Sequence, residues 1–525
     1  MAQNPPSREP TPTTRQSALS STREPFVPPR QVLDMVSGRV LDPGTALAVK
    51  GVRPRSTVYV GPRLIVAMTP DAPEVIRRLQ AVAESLGWEA TVHTNDRDKA
   101  SAEAREGVPG VIRLDLTVRD EKATIAPDGW ILLQNARATY GIEAMRRVGL
   151  DHIVLLRSID PNPFHRPSPF HRPSGVGDTS SAAVSSYGVP GSGGRQPVAY
   201  AGPAPQRREK VKGRRPVVAT LDTGCGKHGW LDKVVKRGPD LDGSPIGYVD
   251  NETDPETWFD QVGALDGGID ALAGHGTFIA GLIHQGCPDA DIVTWRIVGS
   301  DGPVVESDLV EALRGIAELV RRHRDGQGGL AIDVFSLSMG YYHETPQDLQ
   351  FDPTLYDILR VMGECGVAVV CSAGNDATAR PMFPAAFAPW ADGKGGAKAT
   401  KSVVPVLSVG ALNPNGTDAL FSNAGPWVRA YAPGAAVLST IPPTFEGGLE
   451  PAARSEAYMR IRESIDPDDF GGGFAVWSGT SFAAPLFAGL VAARLVDKVE
   501  PDHDDRAAAV ERAWQALTGI TDLTP

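Results

Sequence analysis

Between residues 478 and 495 the chain reads Ser-Gly-Thr-Ser-Phe-Ala-Ala-Pro-Leu-Phe-Ala-Gly-Leu-Val-Ala-Ala-Arg-Leu. The glycine permits a tight turn, and the apolar run after it predicts a helix over Thr480–Leu495. From there back to Val217, apolar strands alternate with further helices. This alternation predicts an α/β fold, in which helices cover both faces of a parallel sheet. The predicted strands are Val217–Leu221, Ile292–Val298, Val334–Leu337, Val367–Cys371 and Val404–Val409, and the other predicted helices are His275–Gln285, Ser307–His323 and Leu355–Cys365.

Polar residues with catalytic potential stand at four junctions of this pattern. Asp222 ends the first strand, and His275 begins a helix within Gly-His-Gly-Thr. Asn375 directly follows a strand, and Ser481 lies in the turn that leads into the last helix. In open α/β sheets, ligands bind at the carboxyl ends of the strands. The four side chains are therefore expected to meet at one edge of the sheet.

These residue types suit acyl transfer. A serine hydroxyl becomes a nucleophile when a histidine removes its proton, and a buried carboxylate orients that histidine. An amide side chain and a backbone N–H at a helix start can bind the developing oxyanion. Taken singly, each residue has a plainer interpretation as a turn, a cap or a structural histidine. The occurrence of all four in order favours a catalytic site, and the single Asp-Thr-Gly argues against an aspartic protease, which needs two.

The motifs resemble those of the subtilisin-like (S8) serine peptidases over residues 214–500. The motifs are Asp222-Thr-Gly, Gly274-His-Gly-Thr277, Ser372-Ala-Gly-Asn375 and Gly479-Thr-Ser-Phe-Ala-Ala-Pro485. The resemblance implies a triad of Asp222, His275 and Ser481. It also implies an oxyanion hole formed by Asn375 and the Ser481 N–H and supported by Thr480. By the same resemblance, Ser338, Met339 and Gly340 bind an extended peptide substrate, and Met382 forms the floor of a pocket for a medium-sized apolar residue. No metal or other cofactor is required.

The chain departs from the family pattern in three places. Phe482 replaces the usual methionine, and insertions are expected near residues 250–270 and 441–473. The first insertion carries seven acidic residues and no Lys or Arg, and two interpretations remain open for it. It is a solvated loop, or it binds Ca²⁺ or favours basic substrates. The acidic residues are Asp250, Glu252, Asp254, Glu256, Asp260, Asp266 and Asp270.

Four segments are predicted along the chain. Residues 1–50 form a disordered tail with a short ordered patch near Val32–Val40, and residues 51–157 form a small α+β domain. Within that domain we expect a helix over Asp71–Leu86 and a strand at Trp130–Gln134. Residues 158–213 form a linker that contains a doubled PFHRPS and ends in the basic run 207–215, and residues 214–525 form the peptidase domain. The small domain is either a cleaved, inhibitory propeptide or a permanent sensor that recruits substrates.

Composition excludes several classes of protein. The 525 residues carry a net charge of −11, which argues against a nucleic-acid-binding surface. Four cysteines are too few for a disulfide scaffold, and their spacing does not match a metal site. Neither a secretory h-region nor a membrane-spanning run is recognisable. We therefore expect a cytoplasmic protein whose partner is a polypeptide substrate, with its oligomeric state left open.

The sequence thus predicts a serine endopeptidase that hydrolyses peptide bonds through an acyl-enzyme on Ser481. A narrower version is an intracellular processing peptidase with a restricted substrate. The alternative is a pseudoprotease, which would bind peptides in the same cleft without cleaving them.

Overall fold

The computed structural model of the protein describes residues 24–93, 107–119, 123, 125–156, 184–261, 267–300, 303–345, 354–500 and 505–525. An amino-terminal α+β unit occupies residues 24–156, and an α/β unit occupies residues 184–525. The doubled PFHRPS lies outside the described residues. In the described part of the chain, no helix is both long enough and apolar enough to span a membrane.

The amino-terminal unit is an antiparallel sheet packed against two helices. Its strand order is β5-β2-β4-β3, with β1 paired to the first half of β2. The apolar faces of α2, α3 and the sheet form one core, in which Leu79, Trp88 and Leu133 are fully buried. The elements are α1 (Arg30–Met35), β1 (Gly38–Leu41), β2 (Thr57–Ala67), α2 (Ala72–Ser85), β3 (Trp88–Val92), β4 (Val111–Val118), α3 (Gly129–Tyr140) and β5 (Val148–Leu156).

Helix α3 corrects a sequence prediction, because the expected strand at Trp130–Gln134 lies inside it. The Asp128 side chain caps the helix by accepting a hydrogen bond from the Ile131 N–H at 3.1 Å. A short apolar run does not distinguish a buried strand from a buried helix segment by periodicity. The cap stabilises the first turn of the helix, and Trp130 and Leu133, which lie about one turn apart, are buried on the same face. These two features explain why the segment is a helix.

The α/β unit is built on a parallel sheet of seven strands. Their order is β15-β14-β13-β11-β7-β9-β8, and every neighbouring pair is parallel. The strands of the unit are β6 (Gln196–Val198), β7 (Val217–Asp222), β8 (Val235–Arg237), β9 (Asp291–Arg296), β10 (Val304–Val305), β11 (Val334–Leu337), β12 (Met339–Gly340), β13 (Ala368–Ser372), β14 (Leu407–Leu412), β15 (Ala430–Pro433), β16 (Val437–Thr440), β17 (Arg454–Ala457), β18 (Arg460–Glu463) and β19 (Phe474–Trp477). Its helices are α4 (His275–Gly286), α5 (Glu306–Arg324), α6 (Thr354–Glu364), α7 (Thr480–Leu495) and α8 (Arg506–Leu517).

Helices cover both faces of this sheet, as the alternation of strands and helices predicts. Side chains of a strand point alternately to opposite faces. In β11, Val334 packs into the cluster that includes α4 and α7, whereas Phe335 packs into the cluster that includes α5 and α6. Both residues are fully buried. The sheet therefore has two separate apolar cores, and its fold class is the predicted one.

The predicted segment boundaries differ from the structure at the amino terminus. Helix α1 and strand β1 lie within the expected tail of residues 1–50. β1 pairs with β2 in antiparallel register, with Gly38 opposite Val60 and Leu41 opposite Thr57. Both elements lie at the short ordered patch expected near Val32–Val40, and backbone pairing with β2 and the burial of Leu33 and Leu41 order this segment.

The expected linker of residues 158–213 is also too long. Strand β6 pairs with β19, so residues 196–198 belong to a sheet of the α/β unit. The basic run finds acidic partners there: Arg208 contacts Asp289 at 2.7 Å, and Arg214 donates two hydrogen bonds to the buried Asp333 at 2.6 and 2.8 Å. These ion pairs hold the run against the α/β unit.

The two units are joined edge to edge by β-sheet pairing. Strand β5 of the amino-terminal unit pairs in antiparallel register with β10, where Val154 lies opposite Val304. It also pairs with β12, where Leu156 lies opposite Met339. The antiparallel sheet of the amino-terminal unit therefore extends into the α/β unit.

Candidate active site

Asp222 and His275 are brought together at the carboxyl edge of the parallel sheet. Asp222 is the last residue of β7, and His275 is the first residue of α4. The His275 Nδ1 lies 2.7 Å from the Asp222 Oδ1, and both side chains are buried. Gly274 before the histidine has φ of 78°, a conformation that a residue with a Cβ adopts at a cost. The helix can therefore begin at the histidine itself.

Ser481 lies at the start of α7, as its sequence context predicts. Its side chain is buried beside the histidine, whose ring packs against Phe482 at 5.1 Å between centroids. Among the described residues, neither Ser481 Oγ nor His275 Nε2 has a hydrogen-bond partner. The two atoms that must exchange a proton are thus hydrogen-bonded neither to other described groups nor to each other. Phe482 fills the position of the expected methionine as part of the core.

The proposed oxyanion hole is organised by Thr480. Its backbone N–H and its hydroxyl each donate to Asn375 Oδ1 at 2.8 Å, and its Oγ1 accepts from the Gly374 N–H at 3.0 Å. The amide orientation of Asn375 is therefore set by two donors. A Cβ added at Gly479 would lie 2.7 Å from Ser481 Oγ and 3.5 Å from Asn375 Nδ2, so both atoms border this glycine.

The backbone N–H of Ser481 also belongs to this site. It is among the first four N–H groups of α7, which have no acceptor within the helix. Such groups at a helix start attract negative charge. The Asn375 amide and this N–H can therefore converge on an oxyanion next to the serine.

The predicted substrate strand lies beside the nucleophile. Ser338 donates its hydroxyl proton to the backbone carbonyl of Ser481 at 3.0 Å. Met339 and Gly340 form β12, and Met382 lies against Gly340, where an added Cβ would approach the Met382 Cε to 3.0 Å. Ser338, Met339 and Met382 line a cavity, whose lining also includes Leu155, Asn375 and Thr480.

Two contributors to the site carry no recognisable sequence signal. Leu155 reaches the cavity from the amino-terminal unit, which contains none of the four catalytic motifs. Asn423 holds the loop of Asn375, because its Oδ1 accepts from the Asp376 N–H at 3.1 Å and its Nδ2 donates to the Ala373 carbonyl at 2.8 Å. Only the three-dimensional arrangement reveals either role.

The acidic residues of the insertion have different partners within the part of it that the structure describes. Asp250 accepts a hydrogen bond from Arg296 at 2.7 Å, and Asp254 accepts one from the Thr257 hydroxyl at 2.9 Å. Glu256 contradicts the solvated-loop interpretation, because it is only 4% exposed and points towards the catalytic helix. Asp266 lies outside the described residues, and Ca²⁺ binding by the insertion stays a prediction.

Cys225, three residues after Asp222, is a buried structural residue. All four cysteines are free and buried, in agreement with the expected lack of a disulfide scaffold. Burial, together with the nearby Glu256 carboxylate, raises the pKa of the Cys225 thiol to about 12. The thiol is therefore un-ionised and poorly reactive at neutral pH.

The chain matches the model of the Subtilase family (Peptidase S8) over residues 213–510. It is similar to the intracellular serine protease of Paenibacillus polymyxa, with 26% identity over 307 residues, which cover 55% of this chain and 69% of that protein. It is also similar to the major intracellular serine protease of Bacillus subtilis strain 168, with 27% identity over 246 residues, which cover 44% of this chain and 62% of that protein. The chain thus spans less than two thirds of the Bacillus subtilis protein.

Among solved structures, the chain is similar to fervidolysin from Fervidobacterium pennivorans, a keratinolytic enzyme related to subtilisin. The identity is 18%, the TM-score is 0.43, and the match covers 89% of this chain and 62% of that one. The parallel sheet, the site and the family match together define a serine endopeptidase of the subtilisin type. The chain belongs to the subtilase family.

Proposed function

We propose that the protein cleaves peptide bonds through an acyl-enzyme on Ser481 and that residues 24–156 keep it inactive until they are displaced. The observation that carries the mechanism is the buried hydrogen bond of 2.7 Å between Asp222 and His275, beside a serine at a helix start. A carboxylate in this position fixes the tautomer of the histidine and stabilises the imidazolium. The other imidazole nitrogen then acts as the base.

The reaction proceeds in two halves. His275 Nε2 takes the proton of Ser481 Oγ as the oxygen attacks the substrate carbonyl, and the imidazolium then gives that proton to the leaving amine. A water molecule, activated in the same way by His275, hydrolyses the acyl-enzyme and regenerates the serine. All of this chemistry is supplied by side chains and backbone groups, so the proposal requires no cofactor.

The tetrahedral intermediates carry a negatively charged oxygen, which hydrogen-bond donors must stabilise. Asn375 supplies its side-chain N–H, and Ser481 supplies its backbone N–H. Because Thr480 fixes the amide oxygen of Asn375 with two hydrogen bonds, the N–H donor is positioned before the substrate arrives. Donors that need no reorganisation during the reaction stabilise the transition state most effectively.

The amino-terminal unit occupies the place where a substrate would bind. An extended peptide is expected to pair with β12, and β5 does so, with Leu155 opposite Gly340. Leu155 also lines the cavity that contains Met382. At the same rim, the Phe26 N–H donates to Asp376 at 3.3 Å, next to Asn375. These contacts support an inhibitory role over the rival role as a permanent substrate-recruiting sensor.

The substrate is proposed to be a polypeptide with a medium-sized apolar residue before the cleaved bond, because the apolar side chains of Met382, Met339 and Leu155 line one cavity next to Asn375. Cellular location is a separate part of the proposal. The two similar proteases are named intracellular, and all four cysteines of this chain are free, as suits a reducing compartment. A processing peptidase acting in the cytoplasm on a restricted substrate fits both observations.

The test compares Ser481→Ala with Ser464→Ala, a matched change at an exposed serine. Both changes are made in a chain that also carries Leu155→Asp, which is designed to displace residues 24–156 from the cleft. Hydrolysis of unfolded polypeptide and of an apolar peptide panel should disappear in the first variant and persist in the second, with equal melting temperatures. Peptide binding without cleavage by the displaced chain with Ser481 intact would instead support the pseudoprotease. Full activity of the wild-type chain that still carries residues 24–156 would favour the sensor role.

A further inference from the structure

Glu256 is a buried carboxylate whose partners all belong to the two motifs that carry Asp222 and His275. It comes from the insertion of residues 250–270, and its Oε1 accepts from the Thr223 hydroxyl at 2.5 Å and from the Gly276 N–H at 2.9 Å. Its Oε2 contacts the Thr277 hydroxyl, and the Thr277 N–H lies 3.3 Å from both oxygens. The carboxylate thus lies on the first turn of α4, the helix that begins at His275.

Thr223 connects this carboxylate to the triad. Its Oγ1 lies 3.2 Å from Asp222 Oδ1, and the same oxygen of Asp222 faces His275 Nδ1. Thr223 Oγ1 also accepts a hydrogen bond from the Gly276 N–H at 2.7 Å. A chain of contacts therefore runs from Glu256 through Thr223 to Asp222 and His275.

The Thr223 hydroxyl has one proton and two carboxylates within reach. When Glu256 is ionised, the shorter distance directs this proton to Glu256 rather than to Asp222. When Glu256 is protonated, its own O–H can donate to a threonine oxygen, and the Thr223 proton is then available to Asp222 Oδ1. Protonation of Glu256 would therefore add a hydrogen bond to Asp222 and remove a nearby negative charge. Both changes weaken the support that Asp222 gives to an imidazolium at His275.

We propose that Glu256 is a positioning residue that couples the Asp-Thr-Gly turn to the catalytic helix and sets the hydrogen bonding of Asp222. This inference rests on the proposed hydrolytic function. With Glu256 ionised, the negative charge near the helix start favours the imidazolium that forms in the transition state, so turnover is expected to rise as Glu256 loses its proton.

The charge state of Glu256 changes in the physiological range. Burial raises its pKa to about 7, since it outweighs the hydrogen bonds from Thr223 and Thr277 that favour the charged form. The other ionisable groups that face Glu256 or its partners are Asp222, Asp254, Cys225, Arg296 and His275.

The test compares Glu256→Gln with Glu252→Gln, a matched loss of charge at an exposed position of the same insertion. We expect Glu256→Gln to lower kcat about tenfold with little change in KM, the size expected for losing one charge-assisted hydrogen bond. In the same variant, the change in kcat that accompanies the ionisation of Glu256 near pH 7 should also disappear from the pH–rate profile. Thr223→Val should have the same effect, and Thr223→Ser should restore the wild-type profile.

A second measurement does not depend on hydrolysis. In Ser481→Ala protein, the low-field NMR resonance of the His275 Nδ1 proton reports its hydrogen bond to Asp222. Its chemical shift should change with pH around 7, and this change should be absent when Glu256→Gln is added. A lowered melting temperature with unchanged kcat, pH profile and resonance would make Glu256 a structural cap only and would overturn the proposal. Inactivity of a Leu155→Asp chain, in which residues 24–156 should no longer fill the cleft, together with the expected resonance behaviour would instead refute the hydrolytic function and leave the coupling intact.

Discussion

Leu156, at the end of β5, lies in antiparallel register with Met339 of the substrate strand. The strand that should receive a substrate is therefore paired with the chain's own backbone. Main-chain pairing provides affinity for any extended segment, whereas the neighbouring cavity selects the side chain. In this arrangement Leu155 contributes that side chain.

The change Leu155→Asp is predicted to displace the amino-terminal unit from the active-site cleft. Leu155 is half-buried, and a carboxylate there, beside the apolar Met382, would lose much of its hydration, which costs at least about 1.4 kcal/mol and shifts the closed–open equilibrium at least tenfold. The rate of peptide hydrolysis by the intact chain should rise by at least that factor. Leu47→Asp, a matched change at a half-exposed leucine of the same unit, should leave the rate unchanged. Equal rates for both variants would contradict the inhibitory role.

The contact between the two units should depend on pH through His152. This histidine of β5 is fully buried, with Nδ1 2.6 Å from Glu306 and Nε2 2.8 Å from Glu344. Burial alone would lower the pKa of His152, but the two carboxylates outweigh it and raise the pKa well above its ordinary value of 6.5. Other ionisable groups around this cluster are His343, Tyr341, Arg137 and Tyr59.

The direction in which stability changes with pH depends on whether the folded or the unfolded chain holds the His152 proton more tightly. The folded chain keeps the His152 proton after the unfolded chain has lost it, so its stabilisation is complete below pH 6.5 and declines as the pH rises towards the raised pKa. This histidine should lower the free energy of unfolding by about 1.4 kcal/mol per pH unit in that range. Urea titrations of Ser481→Ala between pH 6 and 9 should show the slope, and adding His152→Gln should flatten it. Equal slopes with and without that change would refute the prediction.

Much of the peptidase unit could be predicted because its strands and helices have separate periodicities. Helix α7 spans the predicted Thr480–Leu495, and β11 spans the predicted Val334–Leu337. The catalytic motifs lie at junctions whose position the parallel sheet dictates. Asp222 and His275 were therefore expected to meet, and their side chains are in hydrogen-bonding contact.

What the sequence did not reveal depends on contacts between distant segments. Composition marked residues 158–213 as a linker, but β6 and ion pairs such as Arg208 with Asp289 attach its last part to the α/β unit. Glu256 resembled the other acids of its loop, and only its position beside Thr223 and Thr277 distinguishes it. Local patterns contain no information about which partner a charged side chain meets.

Asn375→Ala is predicted to reduce kcat by about 10²–10³-fold with little change in KM. The amide donates to charge that develops only in the transition state, and this is the loss measured for the equivalent donor in subtilisin. Thr480→Val should produce part of this loss, because it removes one of the two hydrogen bonds that orient the amide, whereas Thr480→Ser should keep it. Steady-state kinetics that show a changed KM and an unchanged kcat would contradict the assignment of Asn375.

The reactivity of Ser481 is measured most directly by the intact mass of the protein after treatment with a fluorophosphonate, which reacts with an activated serine. We predict a single adduct on the wild type, faster formation of the same adduct on Leu155→Asp, and no adduct on Ser481→Ala. An adduct on Ser481→Ala, or none on either the wild type or Leu155→Asp, would contradict this prediction.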